Sequence, residues 1–95
     1  MIISQLSISP VGEGTSLNKY VKVVIDILKE NNIKHRINDM ATVIETEKLS
    51  TLFNVVEKAH KSVLNSGAKR VITELKIDDR RDKNVKIGTK VSSLK

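Results

Sequence analysis

The run Ile33-Lys34-His35-Arg36-Ile37-Asn38-Asp39-Met40-Ala41-Thr42-Val43-Ile44-Glu45-Thr46 decides the fold. Ile33 to Asn38 reads as a short strand in which charged residues alternate with others. That pattern suits a sheet edge, where charge discourages pairing with another chain. Asn38-Asp39 supplies a tight turn, since both residue types hydrogen-bond their own backbone and tolerate left-handed dihedrals. Met40 to Thr46 then reads as a second strand, rich in β-branched residues. The middle of the chain is therefore a hairpin.

Working outward, the two flanks repeat one pattern. On the N-terminal side, residues 2–9 alternate: Ile2, Leu6 and Ile8 point one way, Gln5, Ser7 and Ser9 the other, as in a half-buried strand. Pro10 and Gly12-Glu13-Gly14 end that strand, and Thr15 or Ser16 caps a helix running to about Asn31. Leu17, Tyr20, Val21, Val24 and Leu28 share one helical face, broadened by Val23 and Ile27. Asn31-Asn32 stops the helix, because asparagine accepts the left-handed conformation. On the C-terminal side a second helix is expected from about Lys48 to Asn65, with Leu49, Leu52, Phe53, Val56, Val63 and Leu64 on its apolar face. Ser66-Gly67 closes it, and Lys69 to Asp78 is the last clear strand.

Two strand–helix units meeting at a hairpin give the order βαββαβ. The fold class predicted is α+β: a ferredoxin-like sandwich, with a four-stranded antiparallel sheet and two helices on one face. The 95 residues make one domain. From about Asn84 the tail, with Val85-Lys86-Ile87 interrupted by Gly88, is expected to extend the sheet or meet a partner subunit. If the helices cover the Leu6 and Leu75 side, the other face collects Ser7, Ser9, Glu74 and Lys76 around Ile72. A bare sheet face of this kind suits a ligand or a second subunit.

Composition removes several function classes. The chain has no cysteine, which excludes disulfides, thiol chemistry and cysteine-based zinc sites. No apolar run approaches the length needed to cross a bilayer, and the N-terminus lacks a signal-peptide pattern, so a cytoplasmic protein without membrane contact is expected. The net charge of +6 invites nucleic acid. Acids are interleaved with the bases, however, and Tyr20 and Phe53, the two aromatics, fall at helical core spacing rather than on the sheet. Nucleic-acid binding is therefore disfavoured and stands as an alternative reading, beside that of a pure oligomeric assembly protein.

No catalytic constellation emerges. Gly12-Glu13-Gly14-Thr15-Ser16 sits where a phosphate loop would, but it lacks the Gly-Lys ending, carries a repelling Glu13 and has no arginine. His35 and His60 share no ligand spacing with other metal-binding residues, and no nucleophile–base pair can be assigned. The protein is expected to bind rather than catalyse, with no cofactor and no metal.

Four segments carry a resemblance: Ser7-Ile8-Ser9-Pro10-Val11-Gly12, Met40-Ala41-Thr42-Val43-Ile44-Glu45, Ala68-Lys69-Arg70-Val71, and Ile77-Asp78-Asp79-Arg80-Arg81-Asp82-Lys83. In this order they resemble the YkoF-like thiamine-binding protein family over nearly the whole chain, the last segment being the most specific. The resemblance implies a ferredoxin-like fold, homo-oligomers (dimers or tetramers), and binding of thiamine or its hydroxymethylpyrimidine moiety as carrier or sensor. It singles out Ser7, Met40, Thr42 and Glu45 as ligand-binding candidates. Hydroxyls of Ser7 and Thr42 can serve a pyrimidine edge, Met40 can form a soft apolar wall, and Glu45 or Glu74 can offset a thiazolium cation. The family often has Pro-Met-Gly where this chain has Asp39-Met40-Ala41, and Gly where it has Thr46. The added bulk of Ala41 narrows a pocket there. The charged run from Asp78 to Lys83 is expected to pair charges at subunit contacts.

Overall fold

The computed structural model describes residues 1–14 and 17–95. The elements run β1 (Ile2–Pro10), α1 (Asn18–Glu30), β2 (Lys34–Ile37), β3 (Thr42–Thr46), α2 (Leu49–Asn65), β4 (Val71–Asp79) and α3 (Thr89–Ser92). The four strands form one antiparallel sheet in the order β2-β3-β1-β4. This is the ferredoxin-like βαββαβ arrangement expected from the hairpin and its two flanks. The predicted cap at Thr15 or Ser16 lies outside the described residues.

Strand parity sorts the sheet into two faces. Ile2, Ser4 and Leu6 on β1, with Thr42, Ile44 and Thr46 on β3, are buried beneath the helices. The interior is closed by Leu28, Ile44, Leu52, Ala59 and Val63, each 0% exposed. Burying a leucine or isoleucine side chain contributes about 1.5–3 kcal/mol, so this layer holds the helices to the sheet. Two hydroxyls inside it, Ser4 Oγ and Thr46 Oγ1, have no partner among the described residues.

Helix endings follow the sequence closely. Asn32 takes φ 55°, and the Ile33 and Asn32 amides donate to the Leu28 and Lys29 carbonyls at 2.9 and 3.1 Å. This paired closure satisfies carbonyls that α1 would otherwise leave orphaned. Gly67, at φ 115°, closes α2 in a conformation that a side chain would strain.

The rotation of the helices departs from expectation. On α2 the buried residues are Leu52, Val55, Ala59 and Val63, while Phe53, predicted to face the core, is 52% exposed. Ala59, 0% exposed, occupies part of the buried face instead, and an apolar count that favours large residues overlooks it. On α1, Ile25 is buried and Val21 is exposed.

The tail adds no strand to the sheet. After β4 the chain turns back, and its charged run pairs internally: Arg80 Nε donates to Asp82 Oδ1 at 2.7 Å and Arg81 Nε to Asp79 Oδ1 at 3.1 Å. The segment then crosses the sheet face opposite the helices. Val85 is 3% exposed yet stands apart from the main core cluster. The Ile87 amide donates to Glu45 Oε1 at 2.8 Å, and Lys90 Nζ meets Asp78 Oδ2 at 2.6 Å. By parity Glu45 and Asp78 both flank Ile3 on that second face. The expectation of a wholly bare face is therefore corrected: the chain covers one end of it. Gln5, Ile72, Glu74 and Lys76 remain exposed at and beyond its middle.

Candidate functional site

The useful irregularity is a mismatch in strand length. β1 pairs with β4 along its whole length, from Ile2 to Pro10. With β3 it pairs only from Ile2 to Leu6, because β3 begins at Thr42 opposite Leu6. Beyond Leu6 the β3-facing edge of β1 has no strand beside it. In an antiparallel strand alternate residues direct both N–H and C=O to the same side, so this overhang presents backbone donors and acceptors in place of a sheet neighbour.

A cleft of about 160 Å³ opens there. Residues Leu6 to Ser9 form one side, and the β2–β3 turn from Ile37 to Thr42 forms another. The first turns of α1 supply the third, through Leu17, Tyr20, Val21 and Val24. The turn is held by the Asn38 amide donating to the Ala41 carbonyl at 3.0 Å. Tyr20 shows why the α1 wall is fixed. Its ring is buried, and its hydroxyl donates to Glu13 Oε1 at 2.5 Å. That hydrogen bond raises the Tyr20 pKa above its ordinary value, with burial and the charge of Glu13 adding to it.

Three of the four ligand-binding candidates meet here. Ser7, Met40 and Thr42 all line the cleft. Ser7 and Thr42 belong to opposite sheet faces by parity, yet both reach the same space because the sheet ends between them. Thr42 is 8% exposed, whereas Met40 sits at the rim with 89% of its surface in solvent. Glu45 lies elsewhere. It is on the second face, 8% exposed, accepting from the Ile87 amide, with Lys34 Nζ at 3.9 Å. Glu74, the other acid considered for a cation, is also on that face and exposed.

Two participants escaped the sequence reading. Asp39, read in the sequence as part of the turn and of the Asp39-Met40-Ala41 departure with no site role, lines the cleft. Glu13 was read only as a deterrent to phosphate, and it anchors Tyr20. The single available signal was the seven-residue separation of Glu13 and Tyr20, which spans a turn and the start of a helix and has no fixed geometry.

Among the described residues no three of His, Cys, Asp and Glu converge. His60 Nδ1 lies 2.6 Å from Thr73 Oγ1, and His35 Nδ1 lies 2.8 Å from the Ile33 carbonyl, so both imidazoles are engaged locally. No helix among the described residues is long and apolar enough to cross a membrane.

Fold and cleft together define a ferredoxin-like α+β sandwich with an open cleft at one end of its sheet. The chain belongs to the family described as thiamine-binding protein, whose sequence profile matches residues 4–95. It is 43% identical over 96 residues to a UPF0045 protein of Methanothermobacter thermautotrophicus, covering 100% of this chain and 97% of that one. It is 39% identical over 99 residues to UPF0045 protein YqgV of Bacillus subtilis, covering 99% of this chain and 94% of the other. Among solved structures, hypothetical protein MJ1052 of Methanocaldococcus jannaschii superposes with a TM-score of 0.90 at 38% identity, over 98% of this chain and 94% of that one. A Thermotoga maritima protein described as a candidate in thiamine biosynthesis or salvage shares the fold, with a TM-score of 0.82 at 20% identity over 99% and 98% of the two chains.

Proposed function

We propose that the chain binds thiamine, or its hydroxymethylpyrimidine moiety, in the cleft between β1, α1 and the β2–β3 turn, as a carrier or sensor without chemical turnover. The observation that carries this reading is the convergence of Ser7 and Thr42 on one cleft, at the place where β1 outruns β3. An apolar cavity of about 150 Å³ is known to hold benzene, and this cleft measures about 160 Å³. One six-membered heteroaromatic ring is the matching size. A pyrimidine edge that both donates and accepts hydrogen bonds meets two hydroxyls and the unpaired edge of β1. Met40, exposed at the rim, gains buried surface when a ring arrives and adapts its shape to it.

Membership of the thiamine-binding family over residues 4–95 supports this ligand class. Binding without turnover is supported by the lining, which contains no His, Lys or Cys among the described residues. We take the protein to act as a cytoplasmic homo-oligomer. The stretch of sheet face around Ile72, 46% exposed, is uncovered by its own chain and offers apolar surface to a second copy.

Titration calorimetry with thiamine and with hydroxymethylpyrimidine tests the reading. Saturable heat is expected for both. Thr42→Val keeps the β-branched shape and removes the hydroxyl, so affinity should fall about tenfold, the worth of one hydrogen bond, with an unchanged melting temperature. Absence of heat for both ligands at millimolar concentration, with folded protein, would sink it.

A further inference from the structure

Basic residues outnumber acidic ones by 17 to 11 in this chain. The cleft reverses that balance. Its described lining holds no lysine, arginine or histidine, and it holds one carboxylate, Asp39, on the turn at its mouth. A second carboxylate stands one contact behind the wall, since Glu13 Oε1 accepts from the hydroxyl of the lining residue Tyr20. Lys19 comes near, with Nζ 5.3 Å from the centre of the Tyr20 ring, but that ammonium donates to the Ser66 carbonyl at 2.9 Å, at the far end of α2. In a net cationic molecule, this one opening is lined by an acid and by no base.

Resting on the reading of the cleft as a thiamine or pyrimidine site, we propose that Asp39, backed by Glu13, makes the cleft select cationic, unphosphorylated heteroaromatic ligands. Size sets the geometry. About 160 Å³ accommodates one ring, so the second ring of a two-ring ligand stays at the mouth, beside Asp39. A thiazolium there gains from the carboxylate. A phosphoryl group extending from the same end meets like charge and no compensating lysine or arginine. Specificity is a difference of affinities, and a repulsive element aimed at the competitor produces it as well as an attraction does.

The test is a three-ligand titration at low salt with wild type, Asp39→Asn and Glu13→Gln. The ligands are thiamine, neutral hydroxymethylpyrimidine and thiamine monophosphate. Wild type should bind thiamine more tightly than its monophosphate. Asp39→Asn should weaken thiamine about three- to tenfold, as expected for a partly screened charge contact. It should leave hydroxymethylpyrimidine within about twofold and narrow the gap to the monophosphate. Glu13→Gln should act in the same sense and less strongly, and added salt should erode the preference. If the neutral pyrimidine binds but Asp39→Asn shifts thiamine and pyrimidine equally, or shifts neither, the charge preference is overturned while the site stands. A monophosphate that matches thiamine in wild type overturns it too. Failure of the neutral pyrimidine and thiamine alike removes the site and the preference together.

Discussion

Thr42 and Glu45 are three residues apart on the same strand, and their surroundings differ entirely. Thr42 begins β3 at the cleft, beyond which no strand lies alongside that edge of β1. Glu45 lies on the opposite face and is already engaged by the Ile87 amide of the chain's own tail. At one end of the sheet the edge of β1 has no neighbouring strand, and at the other the chain's own tail engages Glu45 and Asp78. Residue type alone does not mark a binding group. What matters is whether the chain returns to cover it, and here a tail of about a dozen residues decides that at one end only.

The contrast can be attacked from the covered end. Val85→Ala removes apolar surface that is 3% exposed and should cost about 1.5–2.5 kcal/mol in chemical denaturation, with cleft affinity unchanged. A parallel loss of affinity would show that the two ends are one unit. Glu45→Gln keeps an acceptor for the Ile87 amide and removes the charge. It should cost less, about 0.5–1 kcal/mol, again without touching the cleft, and a change in ligand affinity would return Glu45 to the site.

Acid should produce the smallest effect, confined to the tail. Lys90 beside Asp78 holds that carboxyl below the usual carboxylate range, by hydrogen bond first and charge second. A lowered folded-state pKa contributes stability above the ordinary value, near 4, and that stability is lost as pH falls through the lowered one. Amide exchange at residues 85–95 should therefore quicken below about pH 4, before the core opens. The pair is exposed, so the melting temperature should barely move. Uniform protection down to global unfolding would show the tail to be part of the core.

Much of the fold was legible because it rests on short-range chemistry. Alternation placed Ile2, Leu6 and Ile8 against Gln5, Ser7 and Ser9, and the faces fell as expected. Asn32 and Gly67 marked helix ends through dihedrals that few other residues adopt. The phase of α2 was harder. Exposed Phe53 and buried Ala59 invert the usual size rule, and it is packing against both α1 and the sheet that settles which side turns inward. At the site, Ser7, Met40 and Thr42 were named from segments of family resemblance, but their meeting depends on register: β3 starts opposite Leu6 and not opposite Ser9. The tail was least legible. Val85 and Ile87 look like strand residues, and their destination depends on long-range contacts, the Ile87 amide with Glu45 and Lys90 with Asp78.

The overhang of β1 has one further consequence. One of the three sides of the opening is the four-residue connection from Asn38 to Ala41, which lies outside the hydrogen-bonded strands. Lengthening or shortening that connection resizes the entrance while every strand keeps its partner. Guest dimensions can thus drift through insertions and deletions at one surface bend, with the load-carrying framework untouched.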